Sequence, residues 1–181
     1  TDKSKEIILT YQDLRIKYIE NESNIRLIAT LNKGIDLAKG KYIVRMDADD
    51  ISLQKRIEKQ IDFMETNSKT GICGTYCKTF GLFEKEFFYP TLHSEILKAI
   101  LTYNPIAHPT AIFRNDFFKK FKLNYSVKYK YCEDYELWTR AIKYFEIANI
   151  PEILLYHRRH TQQASFKHKE EQKLNAFKIK E

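Results

Sequence analysis

Tyr42-Ile-Val-Arg-Met-Asp-Ala-Asp-Asp50 runs from an apolar stretch straight into three carboxylates, Asp47, Asp49 and Asp50. An apolar run with Gly40 before it and acids after it reads as a short strand over 42–46. Upstream, Asn24 stands as N-cap to a helix over 25–39, where Leu27, Ile28, Leu31, Ile35 and Ala38 keep helical spacing and Gly40 is the C′ glycine. Downstream, Ile57, Ile61 and Met64 mark one face of a helix over 53–66. A helix over 3–11 and a strand over 16–19 precede these elements. The alternation of helix and strand predicts an α/β fold with a parallel sheet, in which ligands bind at the carboxyl ends of strands.

That placement gives the acids a chemistry. Asp47 and Asp49 are two residues apart, so in extended chain they project to one side and repel. A hard divalent cation, Mg²⁺ or Mn²⁺, relieves the repulsion and completes its coordination with phosphate oxygens. The competing reading is a solvent-facing loop whose acids cap the next helix, which Asp50 fits well.

Two further sites follow. In Tyr131-Cys-Glu-Asp-Tyr-Glu-Leu-Trp138, Glu133 and Asp134 open a helix over 134–144 among aromatic residues, as a general base or as ordinary capping acids. Trp138 is either core or a flat wall for a sugar ring. His157-Arg-Arg-His160 follows a strand over 152–156 and suits diphosphate binding or metal ligation, or else is a basic surface turn. Between these sites lie strands over 71–80, 86–89 and 110–113 and a helix over 94–101. The chain divides into a unit over 1–165 and a charged tail over 166–181 with Leu174 and Phe177 at i, i+3, read as a solvated helix first and as a docking or membrane-surface helix second.

Composition bounds the answer. The 181 residues suit one domain, and the net charge of +7 suits nucleic acid, an anionic membrane surface or a phosphorylated small molecule without choosing among them. Cys73 and Cys77 lie about 13 Å apart in a strand, too far for a disulfide. With Cys132 the count is odd and no zinc spacing occurs, which points to a reducing, cytoplasmic compartment. No apolar run approaches the roughly 18 residues of a membrane span, so neither a transmembrane helix nor a signal peptide is expected.

Taken in order, these motifs resemble the family 2 glycosyltransferases of GT-A fold. The resemblance rests on Asn24, Leu31-Asn-Lys-Gly34, Ala38-Lys-Gly40 and Arg45-Met-Asp-Ala-Asp-Asp-Ile51 with Arg56 and Gln60. It continues through Asn104-Pro-Ile-Ala-His-Pro-Thr110 with Arg114, then Glu133-Asp134 with Leu137-Trp138, and His160 with Gln163 and Ser165. It implies a three-layer α/β/α sandwich with a mostly parallel sheet. It also implies that Thr1-Asp2-Lys3-Ser4 follow the end of a second strand, so the chain lacks the first strands and is expected to have low activity alone.

The implied activity is inverting transfer of a sugar from a nucleotide sugar, a UDP-sugar first of all, to a glycan or lipid-linked acceptor in bacterial surface polysaccharide synthesis. By the same resemblance Asp134 is the base and Glu133 orients the acceptor. Asp47, Asn32, Lys33, Arg45 and Arg158 bind the nucleotide sugar; Asp49, Asp47 and His160 hold Mn²⁺ or Mg²⁺; His108 and Trp138 face the acceptor. A peripheral contact with the inner membrane surface is implied, and no nucleic acid. Three positions depart from the family pattern: Arg26 for a usual glycine, Gln54 for a common proline, and His157 for an aromatic, which sets His157 beside His160 as a rival ligand. The competing functions are a nucleotidyltransferase, which lacks its phosphate loop here, a basic module for a polyanion or membrane surface, and an inactive fragment of a glycosyltransferase.

Overall fold

The computed structural model describes residues 3–180, so the expected junction at Thr1 and Asp2, and Glu181, lie outside the described residues. In chain order the elements are α1 (Ser4–Leu9), α2 (Arg26–Leu37), β1 (Tyr42–Val44), β2 (Ile51–Ser52), α3 (Arg56–Thr66), β3 (Thr70–Gly81), β4 (Lys85–Phe87) and α4 (His93–Ala99). A 3-10 turn (His108–Thr110) then leads into β5 (Ile112–Arg114), α5 (Asn115–Lys120), α6 (Glu133–Ala141), β6 (Glu146–Arg159), α7 (Ala164–Lys167) and α8 (Lys169–Lys180).

The strands form one sheet in the order β1-β5-β3-β6-β2, with β4 also on β3. β3 is long enough to pair β5 at Ile72 and Cys73 and β4 from Cys77 to Thr79 on one side, and β6 along the other. The α/β class is as expected, but the sheet is mixed and not mostly parallel. β3 and β6 run parallel, whereas β1–β5, β5–β3, β3–β4 and β2–β6 are antiparallel. β1, β3 and β6 point one way, and β5 returns through α4 and the 3-10 turn to slot between β1 and β3 in reverse. Strand β6 absorbs Pro151 as a bulge: Thr75 pairs Ile150 and Tyr76 pairs Ile153, so Pro151 and Glu152 loop out where a missing N–H does no harm.

Alternation along the strands builds two cores and hence three layers. Ile72, Phe113 and Ile147 face α2, α4, α5 and α6 through Ile28, Ile35, Ile96, Phe118 and Trp138. Cys73, Ile112, Ile150 and Leu154 face α3 through Met64. Cys73, Cys77 and Cys132 are free and buried.

Three local expectations change. The stretch 16–19 forms no strand; Ile16, Tyr18 and Ile19 are exposed, and no strand pairs them among the described residues. Helix α2 stops at Leu37 with Ala38 already extended, so Gly40 is no C′ glycine; a side chain there would press on the Tyr42 carbonyl at 3.0 Å. The tail is docked and not simply solvated: Gln172 and Asn175 donate to the carbonyls of Tyr131 (2.8 Å) and Lys130 (3.0 Å), and His168 stacks on Tyr131 at 4.2 Å.

The departure at Arg26 has a structural cost. Asn24 accepts the Arg26 N–H at 3.1 Å, and Arg26 opens α2 with φ of +67°, a left-handed backbone that suits glycine. The Arg26 side chain is exposed, so its loss removes no packing. Arg26→Gly relieves strain but frees the unfolded chain, and the balance is a gain of about 0.5–1 kcal/mol. A thermal melt should rise by about 1–4 °C; an unchanged or lower midpoint would show that the strain is absent.

Candidate active site

The site gathers at the carboxyl ends of β1 and β6. Below it, α3 acts as a staple. Arg56, 0% exposed, donates to the Arg45 carbonyl (2.8 Å) and to Gln60 Oε1 (3.0 Å). Gln60 in turn donates to the carbonyls of Cys73 (3.2 Å) and Thr110 (2.7 Å). The two motif residues Arg56 and Gln60 therefore fix where β1 ends relative to β3 and β5. Burial brings the Arg56 guanidinium down to about 10, still charged at neutral pH, with Asp50 opposing that shift.

Beyond β1 the acid loop is organised by cations. Arg45 is buried and grips both oxygens of half-buried Asp47, Nη1 to Oδ2 at 2.6 Å and Nη2 to Oδ1. That bidentate grip engages both carboxylate oxygens, so an ion taken up by Asp47 would share them with Arg45. Asp50 is buried, accepts the Arg158 N–H at 2.8 Å through Oδ1, and burial pushes its carboxyl up to about 6. Arg158 Nε donates to the Asp49 carbonyl at 2.9 Å, and its guanidinium lies 4.5 Å over the Phe80 ring. The acid loop and the end of β6 are thus clamped together across 108 residues.

The clamp sets His160 against Asp49, Nε2 to Oδ2 at 3.4 Å, both groups half-exposed. His160 Nδ1 accepts the Gln162 N–H at 3.3 Å, so the neutral ring carries its proton on Nε2, facing Asp49. That arrangement sets the His160 ring beside Asp49, the two groups expected to share an ion. Burial, with Arg159 adding to it, lowers His157 to about 4 and keeps it neutral. Arg158 occupies the side of β6 that carries Phe80; by strand alternation Arg159 shares the His157 side, and its Nε is buried without a hydrogen-bond partner.

Among the described residues no three His, Cys, Asp or Glu side chains form a ready cation cage. The donor set is the open Asp49 carboxylate beside His160. One carboxylate with substrate phosphates is a normal Mg²⁺ or Mn²⁺ environment, so the residues fit an ion that arrives with a diphosphate.

Glu133 and Asp134 open α6 as its first two residues. Glu133 is buried; desolvation and then the Asp134 charge push its carboxyl up to about 7. Desolvation also raises Asp134, against the Tyr135 N–H and the Asn104 amide, which donates to Asp134 Oδ2 at 2.7 Å. The positive charge of Arg45 favours both carboxylates, so Arg45 links the acid loop to this pair.

Three expected site residues serve as supports instead. Asn32 spends both ends of its amide on Tyr125, donating to its carbonyl (2.9 Å) and accepting its N–H (2.8 Å). His108 is buried with Nε2 2.8 Å from the Tyr125 hydroxyl. Trp138 is 0% exposed, against Phe113 at 5.7 Å and the His108 ring at 6.0 Å. Neither His108 nor Trp138 offers a surface to an acceptor, because both are sealed in the core beneath α6. Lys33 reaches the Asn21 side chain at 3.0 Å and stands apart from the acid loop's contacts. Tyr125 carries no signal in the sequence, whereas Arg159 lies within the His157–His160 run read for diphosphate binding or metal ligation. A surface cleft of about 500 Å³ lined by Lys69, Phe117, Phe121 and Phe145 shares no residue with this site.

The sequence profile of Glycosyl transferase family 2 matches residues 1–122. The chain belongs to glycosyl transferase family 2. It is 37% identical over 183 residues to an uncharacterized glycosyltransferase of Haemophilus influenzae, covering 93% of this chain and 55% of that protein. It is 35% identical over 162 residues to the O-antigen biosynthesis glycosyltransferase WbnJ of Escherichia coli (83% and 60%). It is 32% identical over 137 residues to the amylovoran biosynthesis glycosyltransferase AmsE of Erwinia amylovora (74% and 51%). This family 2 chain therefore spans about half the length of the curated relatives it matches.

The fold matches that of S. aureus TarS (residues 1–349) in complex with UDP-GlcNAc, with a TM-score of 0.75 at 19% identity over 90% of this chain and 48% of that one. It also matches the mannosyltransferase PcManGT of Pyrobaculum calidifontis in complex with GDP-Man and Mn²⁺, with a TM-score of 0.64 at 12% identity over 93% and 47%. The family 2 sheet and helices described above are thus those of GT-A glycosyltransferases.

Proposed function

We propose that this chain transfers a sugar from a nucleoside diphosphate sugar, a UDP-sugar first of all, to a hydroxyl of a glycan or lipid-linked acceptor in bacterial surface polysaccharide synthesis. The observation that carries the reading is the pairing, through Arg45, of the Asp47–Asp49 loop with the recessed Glu133 and Asp134 at the start of α6. The relatives named for O-antigen and amylovoran biosynthesis support the product class, and the UDP-GlcNAc complex of TarS supports the donor class. Its place is the cytoplasmic face of the membrane, by peripheral contact; among the described residues no helix is long and apolar enough to cross one.

In this reading Asp134 takes the proton of the acceptor hydroxyl as it attacks the anomeric carbon, and Glu133 orients that hydroxyl. A single base on the face opposite the leaving diphosphate gives inversion in one displacement. Asp49 would hold a Mg²⁺ or Mn²⁺ ion, which supplies charge stabilisation to the diphosphate. Asp47, gripped by Arg45, would contact the nucleotide ribose, while His160 and the Arg158 clamp keep Asp49 in place. Asn32 acts through Tyr125 by fixing its backbone.

The test is thermal stability with UDP, with and without Mn²⁺, in the full-length protein. At a hundredfold excess over Kd, binding to the native state adds about 2.7 kcal/mol, a rise of roughly 5–11 °C. Asp49→Ala should abolish the Mn²⁺-dependent part while leaving the unliganded melt unchanged, because Asp49 is exposed. Absence of any nucleotide shift in a cooperatively melting protein would sink the reading.

A further inference from the structure

We propose that Asn104 is a positioning residue for Asp134, holding one carboxylate oxygen so that the other is presented to the acceptor hydroxyl. The inference rests on the reading of Asp134 as the base. Asn104 Nδ2 donates to Asp134 Oδ2 at 2.7 Å, across 30 residues of sequence. The orientation of the amide follows from its other end, since Asn104 Oδ1 accepts the Ile106 N–H at 3.3 Å. The flipped amide would set a carbonyl oxygen against a carboxylate and an amide NH₂ against a backbone N–H, two repulsions in place of two bonds.

Asn104 is itself held. Pro105 restricts the backbone before it to extended conformations. Asn149, 1% exposed on β6, donates to the carbonyls of Pro105 (3.0 Å) and Pro90 (2.7 Å), so the loop is bolted to the sheet. From the other direction the Tyr135 hydroxyl donates to the Ile100 carbonyl just beyond α4, tying α6 to the same loop. Sheet, loop and helix therefore converge on one carboxylate oxygen. A charge-assisted bond of that length is worth about twice a neutral one and fixes the rotamer of its acceptor.

The other groups that act on Asp134 are known from each side. Cys132 and Glu133 precede it in sequence, Arg45 acts on it from the end of β1, Tyr125 from the loop before α6, and Tyr89 from beyond β4. Arg45 is shared with Asp47, which leaves Asn104 as the neutral side-chain donor committed to Asp134.

The experiment compares Asn104→Asp, which keeps the shape but removes the donor, with Asn104→Ala and Asn104→Ser in the full-length protein. Expected for Asn104→Asp is a fall in kcat of about 10- to 100-fold with donor KM within about twofold. The acid limb of its pH profile moves up by about one pH unit, because an unassisted carboxylate beside a second acid is easier to protonate. Asn104→Ser, which restores a hydroxyl donor, should recover part of the loss over Asn104→Ala. A ¹³C titration of the Asp134 carboxyl reads the same shift without turnover. If Asn104→Asp does not fold, as judged by its melt, Asn104→Ala gives the decisive profile and titration. Unchanged kcat, limb and titration overturn the proposal. Asp134→Asn is assayed alongside: if it stays active the base reading fails, whereas an inactive Asp134→Asn with an unmoved limb in the Asn104 variants removes only the positioning role.

Discussion

Asp134→Asn should lower transfer by about 10²–10⁴-fold while leaving the Mn²⁺-dependent UDP shift intact. The substitution keeps the shape of the side chain at the start of α6 and removes its capacity to accept a proton. The nucleotide end is built from other residues, Asp47, Asp49 and Arg45, so donor binding has no reason to change. The wild-type pH profile carries the same signature. A base works only when deprotonated, and burial raises Asp134 while pushing Glu133 up to about 7. The rate should therefore fall as pH drops through a value above the ordinary carboxylate range, where Asp134 takes up its proton. Glu133→Gln removes the neighbouring negative charge, so Asp134 deprotonates more readily and the acid limb moves to lower pH. Measuring kcat/KM against pH for the three proteins decides the matter. An Asp134→Asn enzyme retaining about a tenth of the activity, or a limb unmoved by Glu133→Gln, would transfer the role elsewhere.

What the sequence made legible was whatever depended on neighbours along the chain. The apolar run into Asp47, Asp49 and Asp50 announced a strand end with ligand chemistry, and β1 ends there. The periodicity of Ile57, Ile61 and Met64 announced α3. What stayed hidden depended on pairing across distance. Nothing local in Ile112–Arg114 says that its partners are β1 and β3 or that it runs against both. Pro151 concealed the length of β6, since a proline inside a strand is tolerated only in a bulge of the kind found there. Side-chain roles were hidden for the same reason. Asn32 reads as a nucleotide-sugar contact, and Arg56 and Gln60 only as motif residues, yet the polar atoms of all three close on carbonyls of Tyr125, Arg45, Cys73 and Thr110. A motif marks residues a fold cannot lose; only the geometry separates those that touch a substrate from those that hold the ones that do.

Trp138 tests that distinction with the largest expected effect on stability. As an acceptor wall it would tolerate truncation with little change in the melt and a large rise in acceptor KM. As observed it is 0% exposed, packed on Phe113 and His108 beneath α6, and its Nε1 has no hydrogen-bond partner. Trp138→Ala removes the largest fully buried side chain of the core and leaves a cavity that the stapled sheet cannot close. The expected loss is about 3–5 kcal/mol, a fall in Tm of roughly 6–20 °C. Trp138→Phe is the sharper instrument. It keeps an aromatic ring against Phe113 and deletes the unpaired N–H, whose removal offsets part of the lost packing. Its melt should fall by only about 2–8 °C, the signature of a loss of roughly 1–2 kcal/mol, with acceptor KM unchanged. Circular dichroism melts read the stability and initial rates read the KM. A Trp138→Phe enzyme with an unaltered melt and a tenfold higher acceptor KM would return this residue to the acceptor site, because a side chain that binds without supporting the fold must be reachable from solvent.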